Sequence, residues 1–365
     1  MDKLKEARKN IDAIDKEMAK LFEQRMEQAQ VVAEYKKELG LPLLNETREK
    51  VVISENSSYI ADDKIREYYV NFIKNAMDLS KDYQAYLNEG MKVAYSGIEG
   101  AFAHLASKRL FPYAKHVAYS SFAKAYEAVE KGECDVAVLP LENSYAGDVG
   151  AVMDLTFQGT LYINQILDYE IDQNLVAKPG AKLSDIKSVI SHPQALNQCG
   201  DFISAHNLKA VEADNTARAA RSVADSDDLT IAAIASRESA AIYGLEVVEK
   251  DINSKRNNTT RFGVFSRSLN KTRSLDKVGE HFILNFTCLN EAGSLAKTLN
   301  IIGSHGFNMR NLRSRPMKDL MWNYYFYVEL DGSVHTLGGE DMLNELSAVC
   351  DRLKLVGVYY SHKDK

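Results

Sequence analysis

The sequence predicts a multidomain chain: an all-α helical segment, then an α/β segment, then an α+β segment of ferredoxin-like order. Three observations carry that reading. Apolar residues recur at threes and fours from Leu4 to Val32, and no strand signal precedes about Leu87. From Met91 to about Ser268, short β-rich runs alternate with helical ones. From about Glu280 the order is strand, helix, strand, strand, helix, strand, which is the split βαβ order. A chain of 365 residues holds two or three domains. Their boundaries fall at 1–88, 91–268 and 279–365.

The elements follow in order. The first helix runs from about Lys3 to Glu38, and Gly40 and Pro42 end it. At ~1.5 Å per residue it is ~54 Å long, more than one small domain covers, so it needs a partner chain or a later domain against it. A second helix starts near Asn45, an acceptable N-cap, and a third covers about Asp63 to Leu87. In the middle segment, Met91–Tyr95, Val136–Leu139, Ile186–Ile190 and Thr230–Ile234 read as strands. Helices follow at Ser121–Lys131, from Ala195 and from Ser236. Largely parallel sheets are expected, with ligands beyond the carboxyl ends of the strands. The polar run Arg267–Gly279 is a linker. The last segment reads His281–Cys288, Gly293–His305, Asn308–Arg315, Trp322–Leu330, Glu340–Arg352 and Val356–Ser361.

Composition narrows the function classes. The chain is 45% apolar and 26% charged, with a net charge of -6, the balance of a soluble globular protein. No long basic run is present, which argues against general nucleic-acid binding. No uninterrupted apolar run nears the ~20 residues that span a membrane. The charged start Met1–Glu6 is no secretory signal, so a cytoplasmic location is expected. Cys134, Cys199, Cys288 and Cys350 are far apart and lack metal-ligand spacing. They read as reduced, mostly buried thiols, and no metal or cofactor is expected.

Chemistry concentrates in a few stretches. Thr259, Thr260 and Arg261 sit where the polar run Asn253–Thr260 enters the apolar run Phe262–Phe265. That suits a hydroxyl proton donor beside a cation for an anionic substrate, although a polar turn capping a strand has the same look in isolation. Pro140-Leu141-Glu142-Asn143-Ser144 and Ser191-His192-Pro193-Gln194-Ala195 each follow a buried strand pattern. The second opens a helix, where free N–H groups favour anions. Gly147 and Gly150 allow close backbone approach. His192 is an acid–base candidate or a residue that orients its loop. Thr216 reads as a helix N-cap as much as a ligand group. On the first helix, Arg25 and Lys36 lie within ~20° of one face, while Arg8 is ~100° away and could serve a partner protomer's site.

Together these stretches resemble the signature set of prephenate dehydratase. The chain before them resembles a chorismate mutase of the all-helical family, and the chain after them an ACT regulatory domain. The whole resembles the bifunctional enzymes of phenylalanine biosynthesis. The resemblance implies rearrangement of chorismate to prephenate, then decarboxylation and dehydration of prephenate to phenylpyruvate, under feedback by phenylalanine. It implies a two-lobed dehydratase domain like the periplasmic binding proteins. It implies a homodimer, or a tetramer of paired dimers, with an intertwined mutase in which one arginine crosses over. For the mutase, Arg8, Arg25 and Lys36 match the cations on carboxylate and ether oxygen. Arg48 and Glu49 match the pair opening the second helix, and Ser80 and Gln84 match the Ser and Gln of the site. Asn45 stands where the family has Asp. For the dehydratase, Thr260 matches the proton donor, with Glu142, Asn143 and Gln198 beside it. Ser144, Ser191, His192, Thr259 and Arg261 match substrate-binding positions, and Gly97, Glu99 and Gly100 match the opening turn. For the ACT segment, Gly293, Ser294, Leu295, Asn308 and Ser314 match the phenylalanine site, while Arg313 and Ala292 replace the usual Glu and Pro. Two other readings remain open: an arogenate dehydratase with a weak or vestigial mutase, and a non-catalytic small-molecule binding module.

Overall fold

The structure, a computed structural model, describes residues 3–38, 46–112, 114–254, 258–269, 279–317 and 323–360. The chain divides into two compact units, Met1–Met91 and Lys92–Lys365.

The first unit is helical. Helix α1 spans Lys3–Glu38, α2 spans Glu46–Ser58 and α3 spans Asp63–Glu89. Asp62 caps α3 by accepting the Lys64 N–H at 2.9 Å, and Gly90 ends it with a positive φ of 74°. The unit buries little: Ala29 and Ala33 of α1, and Ala76, Ser80 and Gln84 of α3. Leu4, Ile11, Ile14, Met18, Leu21 and Phe22 of α1 are all exposed.

The second unit contains two α/β lobes and a C-terminal segment. The first lobe holds β1 (Lys92–Ser96), α4 (Phe102–Leu110), β2 (Lys115–Tyr119), α5 (Phe122–Glu130), β3 (Val136–Asn143), β4 (Gly147–Asp148), α6 (Gly150–Gln158) and β5 (Tyr162–Glu170). The second holds β6 (Asn174–Ala177), β7 (Ser188–Ser191), α7 (Pro193–Gln198), α8 (Gly200–Ala205), β8 (Lys209–Glu212), α9 (Thr216–Asp225), β9 (Ile231–Ala235), α10 (Arg237–Tyr243) and β10 (Glu246–Glu249). The chain then returns to the first lobe as β11 (Thr259–Ser266). The C-terminal segment is β12 (Glu280–Thr287), α11 (Ser294–Ser304), β13 (Met309–Pro316), β14 (Tyr324–Asp331), α12 (Leu337–Val349) and β15 (Arg352–Tyr360). Its last strand begins at Arg352, where the sequence pattern reads as helix, because the chain leaves α12 at Cys350 in extended conformation.

Neither sheet is largely parallel, contrary to the expectation from the sequence rhythm. The five-stranded sheet runs β10-β6-β9-β7-β8, and β6 is antiparallel to β9 and to β10. The ten-stranded sheet runs β13-β14-β12-β15-β5-β11-β3-β1-β2, with β4 paired to β3. β11 is antiparallel to both β3 and β5, because it re-enters its lobe from the far side after the excursion through the second. The C-terminal segment, expected to stand apart from residue 279, joins this same sheet through β15 beside β5. Helices α11 and α12 cover one face of its strands through Phe282, Leu284, Phe286, Ile302, Val328, Met342 and Leu346. Ile283, Tyr327, Val356 and Tyr359 on the other face complete the first-lobe core with Leu139, Leu161, Ile163 and Phe265.

Candidate active site

A cavity of about 300 Å³ lies between the two lobes. Thr260 and Asn143 are register partners on β11 and β3, and both line it. Leu141 is the extra residue of a bulge opposite Arg261 and Phe262. The bulge lets Pro140 and Asn143, three positions apart, reach the same wall. Phe262 joins them, two residues on from Thr260 as strand alternation requires.

Asn143 organises the floor. Its Nδ2 donates to Thr260 Oγ1 at 2.9 Å and to Asn258 Oδ1 at 2.8 Å. Its Oδ1 accepts from the Tyr145 and Ala146 N–H groups at 3.0 and 2.9 Å, and from Gln194 Nε2 at 3.0 Å. One amide thus fixes the loop after β3, the threonine hydroxyl and a side chain of the opposite lobe. Thr260 is 9% exposed, and its oxygen is occupied by a donor. Its own proton is left for a ligand in the cavity.

The second lobe supplies the facing wall. His192 caps α7 by accepting the Gln194 N–H at Nδ1, 3.2 Å away, and its ring lines the cavity. That bond fits a residue holding its loop. Gln198 lines the cavity and accepts from Asn258 Nδ2 at 2.9 Å. Thr216 lines it as the first residue of α9, and the N-cap is Asn215, whose Oδ1 accepts the Arg218 N–H at 2.7 Å. The described lining contains no Lys or Arg. The positive end of α9 opens onto the cavity and can meet a carboxylate. Lobe closure is reinforced by Ser239 Oγ donating to Gly100 O at 2.7 Å and Tyr243 Oη to Glu99 O at 2.5 Å.

Several expected site residues lie elsewhere. Glu142 and Arg261 point to the opposite face of the sheet, since each alternates with a cavity residue. Arg261 there makes a two-pronged pair with Glu329, both contacts 2.9 Å, and reaches Tyr359 Oη at 3.2 Å. Burial alone would depress its pKa, but the Glu329 pair overrides this and holds the guanidinium above its usual value. Glu142 pairs with Arg313 at 2.6 Å, and Arg313 also reaches Asp148. Ser191 is fully buried and donates to the Ile234 carbonyl at 2.7 Å, tying β7 to β9. Ser144 and Thr259 bond each other at the rim: Thr259 N–H donates to Ser144 Oγ at 3.0 Å, and Ser144 N–H to Thr259 O at 2.8 Å. Asn258 and Gln173 line the cavity and are not among the expected site residues. Asn258 could have been found by stepping back two places from Thr260 along the chain. Gln173 lies in the polar trio Asp172-Gln173-Asn174 and carries no such signal.

In the helical unit, Arg25 donates to the Ala76 carbonyl at 2.8 Å and to Ser80 Oγ. Burial lowers its pKa. Ser80 and Gln84 are buried one turn apart on α3, and Gln84 Oε1 has no partner among the described residues. Glu49 accepts from Lys81 at 2.8 Å. Arg8 is exposed and lies ~25 Å from Arg25 along the axis of α1, too far to share its site within one chain. Lys36 and Arg48 are in α1 and α2, but their side chains, and Asn45 altogether, lie outside the described residues.

In the C-terminal segment, Gly293 caps α11 in the left-handed conformation, φ 89°, and Ser294 opens the helix. Leu295 packs into the core below α11. Asn308 Nδ2 donates to Asp331 at 2.8 Å. Ser314 is exposed on β13, opposite Phe326 and so on the helix-covered side, whereas Arg313 and Arg315 face the first lobe.

Comparison with known proteins agrees with this geometry. Residues 93–270 match the family model of prephenate dehydratase, and residues 7–85 that of chorismate mutase type II. The bifunctional chorismate mutase/prephenate dehydratase of Neisseria gonorrhoeae is 29% identical, over 96% of this chain and 95% of that one. The arogenate dehydratase/prephenate dehydratase 2 of Arabidopsis thaliana is 32% identical, over 74% of this chain and 72% of that one. The crystal structure of prephenate dehydratase in complex with L-Phe from Arthrobacter aurescens superposes with a TM-score of 0.68 at 28% identity, covering 74% of this chain and 90% of that one. The chain belongs to the prephenate dehydratase family, as a bifunctional member that carries a type II chorismate mutase ahead of the dehydratase.

Proposed function

We infer that the chain performs two successive reactions of phenylalanine biosynthesis. The helical unit rearranges chorismate to prephenate, an isomerase step. The two-lobed cavity converts prephenate to phenylpyruvate, a carbon–oxygen lyase step. The observation that carries the second assignment is the Thr260 hydroxyl, which is held by Asn143 and faces the cavity between the lobes. In that step the ring carboxylate leaves as carbon dioxide, and its bonding electrons enter the ring. The opposite C–O bond breaks, and the departing oxygen takes the Thr260 proton and leaves as water. Solvent restores the proton to threonine. Aromatisation drives the reaction, so holding the substrate and protonating a poor leaving group are the main tasks. The α9 terminus, Gln198 and His192 bind carboxylates or orient the ring in this reading. Replacing Thr260 with Ala lowers kcat for dehydration about a hundredfold or more and leaves the mutase unchanged. Near-normal dehydration by that variant in a coupled assay would exclude the role.

The mutase needs no acid, base or covalent intermediate, only a folded substrate and charge stabilisation at the ether oxygen. Arg25 with Ser80 and Gln84 supplies one end of such a site, and we assign Lys36, Arg48, Glu49 and Asn45 to the same site. The exposed apolar row of α1 and the distance of Arg8 from Arg25 support a homodimer in which Arg8 serves the partner's site. The C-terminal segment has the strand order β13-β14-β12-β15 with two helices on one face, which supports an ACT domain. Phenylalanine is its proposed ligand, near Gly293–Leu295, Asn308 and Ser314. No helix among the described residues is long and apolar enough to cross a membrane, and a cytoplasmic location completes the reading.

A further inference from the structure

Gln173 lies where the chain passes from the first lobe to the second. Its N–H donates to Asn253 Oδ1 at 2.8 Å, and its carbonyl accepts the Ile252 N–H at 2.9 Å. The main chain is fixed at this point, and the side chain forms part of the cavity wall, 2% exposed. Its Nε2 meets Gln198 Oε1 only at 3.5 Å, the limit of a hydrogen bond. Its Oε1 has no partner among the described residues, and neither has Nε2 of Gln198. Buried amide atoms are rarely left this way, and the two residues that carry them line one cavity, where a ligand can supply the missing partners.

The position relative to Thr260 says which part of the ligand is read. Contacts connect Thr260 in turn to Asn143, Asn258, Gln198 and Gln173, at 2.9, 2.8, 2.9 and 3.5 Å. The dehydratase substrate carries its leaving hydroxyl and its three-carbon side chain on opposite ring carbons. With the hydroxyl at Thr260, a side chain that follows these contacts meets Gln173. In prephenate that side chain bears a keto oxygen, an acceptor. In arogenate it bears an ammonium, a donor. A carboxamide meets the ammonium through its oxygen, or turns over and meets the keto oxygen through its NH₂ group.

We propose that Gln173 is a specificity-determining residue of the dehydratase, reading the keto or amino group on the substrate side chain. The inference rests on the dehydratase reading above. The test measures kcat/KM for prephenate and for arogenate with the full-length protein and two variants, each checked for cooperative unfolding. Gln173→Glu presents a fixed, negative acceptor, and the arogenate-to-prephenate ratio rises about tenfold or more. Gln173→Met keeps the volume and removes both amide atoms, so KM rises about fivefold or more with kcat little changed. A folded Glu variant with an unmoved ratio overturns the proposal. If the Glu variant does not fold, an unmoved KM for both substrates in the Met variant overturns it instead. A wild-type protein that dehydrates neither substrate sinks the dehydratase reading as well, whereas an active wild type with insensitive variants sinks this inference alone.

Discussion

His104 is 3% exposed on α4, and its Nδ1 accepts the Gly100 N–H at 3.0 Å. Burial lowers its pKa to about 4, Lys108 and His116 act in the same direction, and Glu99 opposes them. The acceptor role at Nδ1 requires the neutral ring. Between about pH 4 and the unfolded value of 6.5, the unfolded chain binds a proton that the folded chain does not. Stability therefore rises with pH through that window and is lost on acidification through it, by on the order of 1–3 kcal/mol. His104→Asn keeps an acceptor near the place of Nδ1 and cannot titrate. Chemical denaturation at pH 7 and pH 4.5 should show a smaller acid loss in the variant, and equal losses would refute the assignment. The same residue-level detail decides what the sequence could reveal of the site. Thr260, Asn143 and His192 are legible because each stands where a strand or loop meets a helix or sheet, whereas Gln198 is legible only through the resemblance of its motif to the family's. Glu142 and Arg261, expected at the site, face away from the cavity because each is the strand neighbour of a residue that lines it. Gln173 is a single amide whose importance exists only once distant parts of the chain meet.

Elements differ in how much of them is local. Helix α1 is readable to its ends because a period of three to four residues repeats along its whole length and requires no partner to be seen. β11 is readable as a strand, but its antiparallel place between β3 and β5 is a long-range fact. The junction of β15 with β5 is of the same kind. Gly357 lies opposite Ile163, and a Cβ at 357 would collide with the Ile163 carbonyl and its neighbours. The two strands approach as they do because that residue has no side chain. Gly357→Ala should destabilise the second unit by about 1–3 kcal/mol through overpacking against backbone, with the helical unit unmoved. Separate denaturation transitions for the two units would measure this, and an unchanged second transition would mean the strands part without cost.

For the whole molecule, the two activities make different demands. If the mutase site is shared between chains, mixing inactive Arg8→Ala with inactive Lys36→Ala protein restores activity, since one site of each heterodimer keeps both cations. No recovery after verified subunit exchange would argue for complete sites within single chains. Control by phenylalanine is tested best at Ser314. A bulkier residue at Gly293 would strain a left-handed turn, and removing the C-terminal segment would strip Glu329 from Arg261 and β15 from β5. Ser314→Tyr should abolish inhibition by phenylalanine while dehydration persists, with a coupling of ~1–3 kcal/mol lost; retained inhibition would move the ligand elsewhere. The ion pairs behind the active-site strands carry one more consequence, for swapping parts between relatives. Arg261 faces Glu329, and Arg313 faces Glu142 and Asp148, so each pair unites β11, β3 or β4 with the C-terminal segment. A chimera that imports a C-terminal segment bearing glutamate at position 313 would set three carboxylates against one another beside Asn143. The C-terminal segment of this chain is thus not a detachable cassette: residues 142, 148 and 313 have to be inherited as one set.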